Sequence, residues 1–151
     1  LYQNFSVDER RMYPVYEAIA EAGLVLLLHA GYDIAYAEED NAAPPRIARV
    51  LADFPNLKMV LAHMGGWKLT ESVIENLIGK NAWIDTSYSV GYLKDEQVRY
   101  ILSHHNADQI LFGSDTPWGR LADHIAFVRR FPVADAVLEK ILSGNARTLL
   151  G

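Results

Sequence analysis

Three features of this 151-residue sequence predict a parallel α/β fold built from four strand-then-helix units. Short apolar runs each stop at a His or Asp, helical periodicity fills the stretches between them, and the repeat distance is close to that of a βα step. From His29 to His63, His63 to Asp85 and Asp85 to Asp115 the spacings are 34, 22 and 30 residues, around the roughly 30 of a βαβ unit. Half of the residues are hydrophobic and 22% are charged, the profile of one soluble globular domain with a buriable core.

The Ser6-x-x-Glu9 spacing is a capping-box signature ahead of Met12, Val15, Tyr16 and Ile19, so a first helix is expected over 7–22, stopped by Gly23. Leu24 to Leu28 is a continuous apolar run and reads as a strand buried on both faces, the habit of parallel sheets. Pro44-Pro45 can open a helix carrying Ile47, Val50, Leu51 and Phe54, ended by Pro55-Asn56. Leu57 to Ala62 is the second strand, and 69–78 the helix after it, closed by Gly79. Ala82 to Asp85 is the third strand, and Asp95 can cap a helix bearing Val98, Ile101 and Leu102. Ile110-Leu111-Phe112 is the fourth strand, followed by helices at about 121–130, 134–142 and 145–150. No G-x-G-x-x-G turn follows any strand, which removes the main support for a dinucleotide-binding open sheet and favours a barrel.

Composition narrows the function. The net charge of −5 and the lack of a basic run give no electrostatic footprint for nucleic acid. No apolar stretch approaches the roughly 20 residues of a membrane-spanning helix. The chain has no Cys, which fits a reducing, cytoplasmic setting and leaves His and carboxylates as the strong metal ligands. Leu1-Tyr2-Gln3-Asn4-Phe5 has neither an initiator Met nor a signal-peptide pattern, so the chain is expected to begin partway through a gene product.

In parallel α/β folds the working face lies at the carboxyl ends of the strands. Four strands here end in His29, His63, Asp85 and Asp115. Alone, each His reads equally well as a core-edge imidazole bonded to a backbone carbonyl. Two imidazoles and a carboxylate at equivalent tips are a donor set that Zn²⁺ or a similar divalent ion accepts. Glycines follow each His, in His29-Ala30-Gly31 and His63-Met64-Gly65-Gly66, where the chain turns tightly or leaves room for a ligand. In Gly113-Ser114-Asp115-Thr116-Pro117-Trp118 a carboxylate leaves a buried strand ahead of a Trp able to wall a pocket.

These motifs, with Ile84-Asp85-Thr86-Ser87 and the closing Gly144-Asn145-Ala146-Arg147-Thr148-Leu149-Leu150-Gly151, resemble the amidohydrolase-related (amidohydrolase-2) family of TIM-barrel metal-dependent hydrolases. The likeness runs over essentially the whole chain and matches the C-terminal half of a (β/α)8 barrel. It implies that 1–151 is a single, incomplete domain contributing strands five to eight. By the same resemblance His29 is a metal ligand, His63 a catalytic or second-metal His, and Asp115 the metal-binding Asp that shuttles the proton. Tyr32, Tyr88 and Trp118 are candidates to frame the substrate, and Asp85 is expected to be a hydrogen-bonded strand-end residue. The implied cofactor is a divalent metal ion, Zn or alternatively Mn.

The implied activity is attack of metal-activated water on a small-molecule amide, ester or lactone. Within the resembled family the alternative is non-oxidative decarboxylation of a small aromatic or unsaturated acid. The family's H-x-H pair on the first strand has no counterpart, since the adjacent His104-His105 sit at a helix end where solvation is expected. A non-catalytic half-barrel or assembly module is therefore a rival from another class. A further rival is an open-sheet domain holding a phosphorylated ligand near Gly65-Gly66. The implied partners are a small-molecule substrate and the missing barrel half, from the same gene product or another chain. A homo-oligomer is left open, and neither nucleic acid nor membrane is expected. Glu38-Glu39-Asp40 reads as a solvated loop, Arg46 as a surface residue and His124 as solvent-facing.

Overall fold

The computed structural model describes residues 4–36 and 40–151. A 3-10 turn, Arg10–Met12, leads into α1 (Tyr13–Glu21). Then come β1 (Val25–Leu28), α2 (Pro44–Asp53), β2 (Lys58–Leu61), α3 (Thr70–Asn76), β3 (Trp83–Asp85), α4 (Asp95–His104), β4 (Ile110–Leu111), α5 (Leu121–Val128), α6 (Asp135–Glu139) and α7 (Asn145–Leu150). All four strands are parallel, in the order β1-β2-β3-β4. That order has no reversal point, as in one arc of a βα barrel and unlike a doubly wound sheet.

Register explains which face is packed. Leu28, Leu61, Ile84 and Ile110 lie in one row across the sheet. This row joins Met59 and Leu26 in packing against Ile47, Val50, Val73, Leu77, Val98, Ile101 and Ile141 of the helical layer. The other face is only partly covered. Leu27, between two core-facing neighbours on β1, is 65% exposed; Leu24, expected inside the strand, lies ahead of it and is 60% exposed. The expectation that the first strand is buried on both faces is thus corrected: strand alternation sends Leu27 to the concave side, where a closed barrel would supply opposing strands.

Several local expectations also change. Glu9 does reach back to the Ser6 N–H (2.7 Å), but the Ser6 hydroxyl donates to Asn41 Oδ1 (2.9 Å) and the helix starts only at Arg10. Lys94, not Asp95, is the N-cap of α4. The stretch expected as one helix over 134–142 passes from α6 into a π-helical turn, Lys140–Gly144, before α7. Asn145, buried in that closing motif, donates through Nδ2 to the carbonyls of Ala107 and Ile110 (both 2.8 Å) and so pins the start of β4.

His105 is buried, not solvated. Its Nδ1 accepts the Gly79 N–H (3.2 Å) and its Nε2 donates to the Ala82 carbonyl (3.1 Å), tying the end of α4 to the turn before β3. Burial pushes its pKa down, partly offset by the Ala82 bond. His124 is also buried, wedged against Gly119, because α5 packs its inner face on the loop after β4. Arg46, expected on the surface, is partly buried and pairs through its two terminal nitrogens with Asp8 (2.9 Å) and Asp40 (3.2 Å). Glu38 and Glu39 lie outside the described residues. Among the described residues no helix is long and apolar enough to cross a membrane.

Candidate metal centre and substrate cavity

The strand tips converge on a cavity of about 370 Å³ lined by His29, Tyr32, His63, Trp67, Tyr88, Asp115 and Trp118, together with Asp33, Ile34 and Ala35. All six candidate metal and substrate residues of the sequence are on its walls. Trp67 joins them unforeseen. Its position just past Gly65-Gly66 parallels that of Trp118 past Asp115, which is the signal that could have found it.

Local backbone geometry delivers these side chains. Gly31 bridges to Trp67: the Trp67 N–H donates to the Ala30 carbonyl (2.9 Å) and the Tyr32 N–H to the Trp67 carbonyl (3.1 Å). The loops after β1 and β2 are thereby zipped together. His63, Tyr88 and Asp115 all adopt left-handed backbone (φ 61°, 46° and 59°), a conformation uncommon for residues with a side chain and costing about 1–3 kcal/mol each. At His63 it is held from both sides, since Tyr92 donates its hydroxyl to the His63 carbonyl (3.0 Å) and Asp85 Oδ1 accepts the His63 N–H (3.1 Å). Burial pushes the Tyr92 phenol up to about 12, so it stays a donor.

His29 and His63 are in direct contact, Nδ1 of the first lying 3.2 Å from Nε2 of the second. Nε2 of His29 is 2.9 Å from the Tyr32 carbonyl, an acceptor only, so that nitrogen carries the proton and Nδ1 keeps its lone pair. Burial, and then the neighbouring His63, push the His29 pKa down and favour the neutral, ligating form. Two nitrogen ligands about 2.0–2.1 Å from one tetrahedral zinc stand about 3.3 Å apart. The imidazole pair therefore fits a shared divalent cation.

Asp115 lines the same cavity, half-buried, while its carbonyl accepts the Trp118 and Gly119 N–H groups (2.8 and 3.0 Å). The expected three-ligand set is not drawn together: among the described residues no group of three or more His, Cys, Asp or Glu is placed to hold one ion. The two imidazoles are the assembled part, and Asp115 stands on the wall beside them. Asp85 is a strand-end acceptor: its Oδ1 receives the N–H groups of His63 and Ser87 and the Ser87 hydroxyl. Thr86 locks β3 to β4 by donating to the Gly113 carbonyl (3.1 Å) and accepting the Gly113 N–H (3.0 Å).

The profile of the Amidohydrolase family matches residues 2–151. The chain belongs to this family. Among curated relatives, the dihydroorotase of Vibrio campbellii is 28% identical over 152 residues, an alignment covering 95% of this chain and 38% of that protein. Among solved structures, an uncharacterized TIM-barrel protein from Bordetella bronchiseptica superposes with a TM-score of 0.71 at 28% identity, over 97% of this chain and 52% of the other. A dihydroxybenzoic acid decarboxylase from Polaromonas sp. JS666, solved with bound manganese and the inhibitor 2-nitroresorcinol, shares the fold at 18% identity and TM-score 0.66, over 95% and 55% of the two chains. This Amidohydrolase chain thus spans 38% of the curated relative and about half of the solved ones, the extent of a half barrel.

Proposed function

We propose that this chain carries part of the active site of a metal-dependent hydrolase that directs water onto an amide, ester or lactone of a small molecule. The observation that carries the reading is the contact between His29 Nδ1 and His63 Nε2, two ring nitrogens facing each other across 3.2 Å at the floor of an aromatic-walled cavity. When bound, a divalent ion would supply Lewis acidity and lower the pKa of water from about 15.7 toward 7. His29 and His63 would hold it. Asp115 would take the proton from the attacking water, and Tyr32, Trp67, Tyr88 and Trp118 would bracket the substrate and limit bulk water. The His63 nitrogen that faces the cavity, Nε2, is the atom through which that residue would either ligate or serve a developing negative charge on substrate oxygen.

A second reading is favoured by the aromatic walls: Trp67 and Tyr88, packed on each other at 6.0 Å, and Trp118 line the cavity with ring surface that would suit a planar aromatic acid, whose decarboxylation would use the same donor set. Imidazole ligands suit zinc, and a site richer in oxygen donors suits manganese. Metal analysis of the purified protein, followed by assay of the zinc- and manganese-loaded forms, tests both readings. Proton release from amides, esters or lactones supports the hydrolase, and CO₂ release from aromatic acids supports the decarboxylase. Retention of no divalent ion, and uptake of none, would leave the non-catalytic half-barrel.

A further inference from the structure

We infer that Asp85 and Ser87 form a positioning clamp that holds the His63 ring in one tautomer, with the proton on Nδ1 and the Nε2 lone pair turned toward His29. The inference follows from counting protons. Ser87 Oγ lies 2.5 Å from Asp85 Oδ1, and because an ionised carboxylate only accepts, the single hydroxyl proton is committed there. Ser87 Oγ is also 3.0 Å from His63 Nδ1 and, having given its proton away, meets that nitrogen as an acceptor. The Ser87 carbonyl, 3.2 Å from the same Nδ1, is an acceptor by nature. Nε2 has one candidate acceptor, the His29 Nδ1 lone pair at 3.2 Å, against two oxygen acceptors at Nδ1, so the single proton of the neutral ring belongs on Nδ1 and Nε2 is left bare.

Asp85 sets this arrangement up rather than touching the ring. Its Oδ1 also receives the Ser87 N–H (2.9 Å) and the His63 N–H (3.1 Å), so one carboxylate oxygen fixes the backbone of both partners and the direction of the hydroxyl between them. Ser87 and His63 are buried, so water does not compete for these bonds. His29 is committed in the opposite sense, proton on Nε2 and lone pair on Nδ1, by the Tyr32 carbonyl. The two clamps work on opposite nitrogens and bring both bare nitrogens to the same gap. The clamp exists without any ion, and only its consequence, ligation through Nε2, rests on the functional reading above.

The test is long-range ¹H–¹⁵N NMR of the metal-free, ¹⁵N-histidine-labelled protein at a pH where the imidazoles are neutral. His63 is expected to show a protonated Nδ1 and a bare Nε2. Ser87→Ala leaves Nδ1 only the longer carbonyl bond, so a population with the proton on Nε2 is expected to appear. Asp85→Ala should show the same change, and Asp85→Asn, which keeps an acceptor oxygen in place, should restore the single tautomer. Weakening of this outer partner is expected to lower zinc affinity about 10- to 100-fold in Ser87→Ala. A wild-type His63 protonated on Nε2, or a Ser87→Ala spectrum with His63 unchanged, would overturn the clamp, and the second result is readable even if Asp85→Ala does not fold. Failure of the wild type to take up zinc would instead strike the metal reading, so the two ideas fail separately.

Discussion

Gly31 lies so close to Trp67 that a Cβ built on it would stand 2.3 Å from the Trp67 backbone nitrogen and 2.5 Å from its carbonyl oxygen. Gly31 is also in left-handed backbone, φ 88°. Gly31→Ala therefore meets two obstacles, an unfavourable φ of about 1 kcal/mol and separation of the two loops with loss of bonds worth about 0.5–1.5 kcal/mol each. A destabilisation of about 2–4 kcal/mol is expected, read by urea unfolding, with a red shift of Trp fluorescence as Trp67, buried here, is released to solvent.

Asp115→Asn is the informative substitution at the carboxylate, because Asn tolerates the left-handed backbone found there and Ala would confound chemistry with strain. The variant should keep the wild-type unfolding free energy to within about 0.5 kcal/mol. Turnover by the metal-loaded enzyme should fall by about 10²–10⁴-fold, the usual contribution of a positioned proton acceptor. Full activity in this variant would remove Asp115 from the proposed mechanism.

The strands, their parallel sense and the strand-end location of His29, His63 and Asp115 were legible because burial on the helical side leaves apolar runs that stop where the chain reaches the site. Tyr32, Tyr88 and Trp118 follow from the same rule, lying just past strand ends. What stayed hidden depends on partners far away in sequence. Ser87 and His105 owe their roles to bonds across 23 to 26 residues, and no local periodicity marks such bonds. His124 was misread because a polar residue beside Asp123 on a short helix looks solvated until the loop it packs on is known. The exposure of Leu27 was missed for a different reason: an apolar run tells that both faces of a strand want cover, not that the cover belongs to the same stretch of chain.

His105 predicts an acid-side loss of stability. Its folded pKa lies below the ordinary value of about 6.5. Below that ordinary value the unfolded chain binds a proton that the fold resists, so stability is full above about pH 6.5 and declines as pH falls toward the folded pKa. His105→Gln, which does not titrate, should be less stable near pH 8 by about 1–3 kcal/mol through imperfect replacement of the bonds to Gly79 and Ala82. The difference between wild type and variant should then shrink as pH is lowered, in urea titrations across about pH 5–8. A constant difference over that range would mean that His105 takes up its proton without cost in the fold.

Leu27 tests the incompleteness of the barrel. It points to the concave face beside Val60, its partner on β2, and is 65% exposed while Val60 is 5% exposed. In this chain alone Leu27→Ala removes little buried area and should change the unfolding free energy by no more than about 0.5 kcal/mol. If further strands close over the concave face, the same side chain enters a packed barrel interior, and its truncation should cost about 2–5 kcal/mol. Measuring the substitution in the 151-residue chain and in a version completed by its missing strands gives a direct comparison. A large cost only in the completed form would show that the apolar tip of β1 is an internal surface of the finished barrel. Equal, small costs in both would mean that no second half covers it.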